Sequence, residues 1–208
     1  MTKLSLIALV ALSACTSAPE TLEQSDLVGH WRGTASNGYT FEWQFTPEGA
    51  FTRSIVGSSG NFVMGQGTYS VAATLTLQGT FYGEEGDGYR ARIEVPAYAS
   101  STGMCEVALT AEGNHGVVGT WTSTVTSQSL DASDTPIGEP QITTETMDLR
   151  SDGTVVDMAG DIGDSGTYTQ NANQITTTFP HGSVASVRTY TFVDDRALCD
   201  PLYTLARG

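Results

Sequence analysis

Three histidines and three acidic clusters supply the side chains most able to do chemistry here. A histidine can trade a proton near neutral pH or ligate a metal, and metal sites favour close spacing such as i,i+4. His30, His115 and His181 fall in a strand, a linker and a loop, with no such spacing. The carboxylates gather at Glu84, Glu85 and Asp87, at Asp157, Asp161 and Asp164, and at Asp194 and Asp195. Calcium needs six or more oxygens, and the stretch DMAGDIGD around Asp157, Asp161 and Asp164 could wrap one. It does not follow the EF-hand spacing and has no counterpart earlier in the chain. Solvated hairpin turns are the preferred reading, so no metal site is assigned.

Gly163-Asp164-Ser165-Gly166 resembles the nucleophile segment of chymotrypsin-like proteases, but no matching His segment accompanies it. A turn leading into a strand accounts for it. No Gly-x-Ser-x-Gly elbow occurs either. With no nucleophile, acid–base pair or metal set converging, the expectation is a protein that is not an enzyme and carries no cofactor. The formal net charge of −14 argues against nucleic acid, whose phosphates such a surface repels.

The stretch MTKLSLIALVALSAC has one Lys, an apolar run from Leu4 to Leu12 too short to span a bilayer, and small residues before a Cys. It resembles the signal peptide and lipobox of bacterial lipoproteins. The resemblance implies a signal peptide over 1–14 and lipidation of Cys15, which becomes the first mature residue. It also implies a bilayer as partner, held by acyl chains worth about 0.8 kcal/mol per buried methylene. Thr16 after the Cys is similar to outer-membrane sorting, which implies a location facing the periplasm. Residues 15–26, rich in Pro, Ser, Thr and acids, read as a tether. Removal of Lys3 with the signal leaves eight Arg and no Lys against 23 acids. Cys105 and Cys199 then remain, and in an exported chain such a pair reads as one disulfide, with free buried thiols as the alternative.

The elements that would position any site are strands. Residues 39–45, YTFEWQF, set Tyr39, Phe41, Trp43 and Phe45 against Thr40, Glu42 and Gln44, the period-two pattern of a half-buried strand. Tyr89, Ala91, Ile93 and Val95 alternate with Arg90, Arg92 and Glu94 in the same way. The later stretches ITTETMDL, QITTTF and VRTYTFV are rich in strand formers. No stretch of the mature chain sustains a helical period, so the fold class is all-β.

The pattern also repeats. Gly29-His30-Trp31 matches Gly119-Thr120-Trp121, Phe45 to Phe51 matches Leu149 to Val155, Gly67-Thr68-Tyr69 matches Gly166-Thr167-Tyr168, and Cys105 matches Cys199. The offsets of 90, 104, 99 and 94 keep one order, as a duplication with altered loops would leave them. A Gly-x-Trp strand, a Gly-turned hairpin and a Gly-Thr-Tyr strand together resemble the lipocalin-like domains of bacterial lipoproteins. That resemblance implies two tandem antiparallel β-barrel or meander units, 27–112 and 116–208. Trp31 and Trp121, each with its Gly29 or Gly119, would plug one barrel end. Trp43, Met147 and Leu149 would line a cup for a small hydrophobic ligand. Residues 128–141, QSLDASDTPIGEPQ, have no long counterpart in the first copy and read as a loop capping that cup. The expected function is ligand binding without catalysis. The alternative is an envelope interaction module whose barrels are filled.

Overall fold

Alternating Thr, Val, Tyr and Phe can bury one face only by pairing into sheet, and most of the described residues do so. A computed structural model describes residues 22–34, 38–57, 60–83, 87–99, 103–105, 107–110, 116–182, 184–193, 197–199 and 204–207. Cys15, His115, Glu84, Glu85, Asp194 and Asp195 lie outside these residues. A single helical turn, α1 (Gln24–Leu27), precedes β1 (Gly29–Thr34), β2 (Thr40–Phe45), β3 (Ala50–Gly57), β4 (Gly60–Val71) and β5 (Leu75–Tyr82). There follow β6 (Gly88–Val95), β7 (Tyr98–Ala99), β8 (Gly103–Cys105) and β9 (Ala108–Thr110). The remaining strands are β10 (Gly119–Leu130), β11 (Pro136–Leu149), β12 (Thr154–Ala159), β13 (Ile162–Asn171) and β14 (Gln174–His181), then β15 (Val184–Val193), β16 (Ala197–Cys199) and β17 (Thr204–Arg207). The protein is all-β.

From β10 to β16 each strand pairs antiparallel with the next. The circuit then closes through β9, which pairs with β16 along Ala108 to Thr110 and meets β10 at Thr110 and Thr122. This is a closed eight-strand antiparallel barrel. Closure removes the exposed edges that an open sheet must otherwise protect.

The other strands form a second curled run. β1 to β6 pair in sequence. The free edge of β1 takes β17, β17 takes β8, and β8 takes β7. Because β7 follows β6 after only Pro96 and Ala97, the two ends of this run are neighbours in the chain. The strand after Cys105 thus completes the barrel of later residues, while the strand after Cys199 pairs with the earlier ones. Cys105 and Cys199 form a disulfide at this crossing, Cα to Cα 5.7 Å, in a buried seam with Ala108 and Ala197.

Two separate cores result. One gathers Leu27, Trp31, Trp43, Phe45, Phe51 and Phe81 among others, and the other Trp121, Met147, Leu149, Ile175, Tyr190 and Leu198. Residues 128–141 require a correction: they are not a loop. β10 runs to Leu130 and β11 starts at Pro136, joined by a tight turn in which Asp131 Oδ1 accepts the Ser133 and Thr135 amides at 2.7 and 2.9 Å. These bonds, Thr135 first, hold the Asp131 carboxyl below the usual carboxylate range. The hairpin arm is extended because Thr126 to Ser129 pair with Ala91 to Glu94 on the edge of β6. Composition alone reads Ser, Asp, Gly and Pro as loop, but a sheet edge supplies the missing hydrogen bonds.

Candidate functional site

The β9–β16 barrel has an apolar floor and a charged mouth. At the floor, Trp121 is buried and its Nε1 donates to the Val117 carbonyl at 2.9 Å, with Phe192 edge-on to the indole at 5.5 Å. Trp31 is buried in the other core and donates to the Leu27 carbonyl at 2.7 Å. Gly29 and Gly119, two residues before these tryptophans, have φ of +138° and +146°, values that a side chain makes unfavourable. Met147 and Leu149 sit fully buried in the floor. Trp43 lies elsewhere, in the first core beside its cross-strand partner Trp31 and stacked on Phe45 at 5.3 Å. The three expected cup residues are therefore divided between two cores.

Alternation carries charge inward above the floor. Val155 is fully buried, so Asp157, two residues on, shares its face. Met147 and Asp164 are its direct cross-strand partners and point the same way. On β15, Arg188 likewise shares the face of buried Tyr190. Arg188 Nη1 lies 3.6 Å from Asp157 Oδ2, although β13 and β14 separate their strands. The ion pair reaches across the barrel interior. Its partners differ in exposure, with the Asp157 side chain at 14% and that of Arg188 at 50%.

Burial pushes the Asp157 carboxyl up, Arg188 opposes this, and the Asp164 charge reinforces it. The Arg188 guanidinium is pushed up, first by the neighbouring Tyr190 phenol, against its own burial. Burial also raises the Tyr190 phenol well above its ordinary value. Ser123, directly opposite Glu145 across the β10–β11 pair, is 2% exposed. Its Oγ and Asp157 Oδ1 are buried with no hydrogen-bond partner among the described residues. A buried polar atom left unpaired costs about 1–3 kcal/mol, so such atoms inside this barrel mark it as a place for a hydrogen-bonding guest.

Asp157→Asn should be neutral or stabilising by up to about 1 kcal/mol at neutral pH, because it removes a desolvated charge. Arg188→Ala should destabilise, leaving that charge unpaired. Between the ordinary Asp value and the raised one, the folded state holds more protons than the unfolded, so stability falls as pH rises across that window. Urea titrations at several pH values should show this slope in the parent and its loss in Asp157→Asn.

The other candidates from the sequence fall as follows. His181 Nε2 is 3.6 Å from Asp164 Oδ2, with both side chains about half exposed. Asp161 is exposed in the turn between β12 and β13. Gly163 to Gly166 form regular strand in which Ser165 and Asp164 face opposite sides. His30 is on the exposed side of β1, 3.6 Å from Glu42. No group of three or more His, Cys, Asp or Glu among the described residues is placed to hold a metal. Arg188, Tyr190, Ser123 and Glu145 escaped the sequence reading. In VRTYTFV the signal was present, since Arg188 alternates in step with Tyr190 and Phe192. In a comparison with known proteins, the chain matches no family model, no curated protein and no solved structure.

Proposed function

We propose that the chain is a non-enzymatic bacterial lipoprotein, anchored in the outer membrane through acylated Cys15 and facing the periplasm. In this reading two tandem lipocalin-like units exchange their last strands, and the later barrel takes a small ligand at its mouth. Recurrence of local bonds supports the duplication. Tyr69 Oη donates to the Thr46 carbonyl and Tyr168 Oη to the Arg150 carbonyl, at 2.9 and 2.8 Å. Thr34 and Thr40 share a hydroxyl contact at 3.2 Å, as Thr124 and Thr144 do at 3.3 Å. Each of these pairs recurs at the sequence offsets that relate the two copies.

The observation that carries ligand binding is the Asp157–Arg188 pair spanning the barrel, together with the buried, unpaired Asp157 Oδ1 and Ser123 Oγ. The ligand it suits has an apolar body and a hydrogen-bonding head. Native mass spectrometry of delipidated protein from bacterial envelopes tests this: a co-purifying small molecule lost in an Asp157→Ala, Arg188→Ala variant supports it. A bare mass with a solid interior would favour the second reading, an interaction module with filled barrels. The complete burial of Met147 and Leu149, and the 1% exposure of Trp43, speak for that alternative. Cys15→Ser should move the protein from the membrane to the soluble fraction on cell fractionation, and its continued attachment would refute the anchor.

A further inference from the structure

A second recess lies on the outer face of β3 to β6, away from both cores. Its volume is about 490 Å³, within the range of small-molecule sites. Thr52, Gln66, Thr80 and Arg90 are successive cross-strand partners, forming one straight row across four strands. Thr68 and Gln78, paired with each other, continue the same face one step along. Phe51, Tyr69, Leu77 and Phe81 are the alternate residues and point into the core, so the row points outward. The floor between these side chains is backbone. Gly67 and Gly79, cross-strand partners that alternate with the outward Gln and Thr residues, line that floor with backbone alone. The far wall is the tip of the β10–β11 hairpin, where Asp134 accepts from Arg90 Nε at 3.1 Å.

The charge state of this face selects its guest. Arg90 is paired with Asp134, and neighbouring Arg92 with Glu94 at 2.7 Å. An anion would find its nearby cations already neutralised, on a chain of net charge −14. An apolar guest would strand the amides and hydroxyls of Gln66, Gln78, Thr52 and Thr80. Each Gln offers donors and an acceptor, and each Thr hydroxyl does both. Tyr82 borders the row, with its Oη 3.4 Å from Gln66 Nε2, and supplies an aromatic ring. We infer that this recess is a binding site for a neutral saccharide, whose hydroxyls donate and accept in the same alternating way.

The test is titration of the full chain with neutral oligosaccharides of glucose, galactose, mannose and N-acetylglucosamine, followed by backbone amide NMR. The expected result is saturable shifts with at least one of them, centred on Thr52, Gln66, Gln78 and Thr80. Gln66→Ala with Gln78→Ala should lower that affinity about tenfold or more while leaving the melting temperature unchanged. Asp134→Ala should lower it severalfold by removing the wall. The inference is overturned by no saturable shift with any of the sugars up to about 10 mM, or by shifts at these residues with inorganic phosphate or spermidine in place of sugar. Shifts confined to Asp157 and Arg188 would also overturn it while leaving the barrel-mouth reading intact.

Discussion

Trp121→Ala should destabilise the protein by about 3–5 kcal/mol, read as a lowered urea midpoint at unchanged slope. The indole is 1% exposed, packs against Phe192, and donates to a buried carbonyl of Val117. Alanine removes the apolar contacts, leaves a cavity that closed strands cannot collapse into, and orphans the carbonyl. Trp121→Phe should recover much of the loss, since it restores ring area but not the hydrogen bond. Trp31→Ala should cost about as much, because Trp31 is equally buried and makes the equivalent bond to Leu27. A loss below about 1 kcal/mol at either position would show that the indole does not seal that end.

Replacing both Cys105 and Cys199 by alanine should cost about 2–4 kcal/mol, seen as a lower melting temperature that reductant no longer changes. The bond closes a separation of 94 residues, and long loops gain most from closure because the unfolded chain loses most freedom. Alanine suits the apolar seam beside Ala108 and Ala197, so the effect reports the link and not a buried hydroxyl. The damage should be local. β9 and β16 have three residues each and β17 has four, too few hydrogen bonds to hold a crossing strand alone. Hydrogen exchange should quicken in β8, β9, β16 and β17 while β12 to β14 keep their protection. Uniform acceleration across all strands would mean that the disulfide steadies the whole fold and not the crossing.

The fold class was open to inspection in the residues, because side-chain alternation is a local property. Phe41, Trp43 and Phe45 do face one core as their spacing requires, and Ala91 and Val95 do so on β6, while Tyr39 and Tyr89 at the strand starts stay exposed. The hairpin glycines were equally legible, with Gly49 and Gly153 at φ of +84° and +83° after TPE and RSD. The mouth was only half legible. Asp157 stood out as a carboxylate, but its partner Arg188 is thirty-one positions away and three strands across, a distance that no motif encodes.

Amino-acid order alone determined the all-β class, the alternation of oily and polar residues along β2 and β6, and where the Gly-x-Trp phrase returns. Tertiary structure alone decided where β9 and β17 go and that 128–141 becomes a sheet edge. A three-residue strand such as Ala108 to Thr110 satisfies its hydrogen bonds and its buried leucine as well on one sheet edge as on another. The choice is made by which open edge lies beside it after the long strands have paired, and that neighbour is set by the whole chain at once.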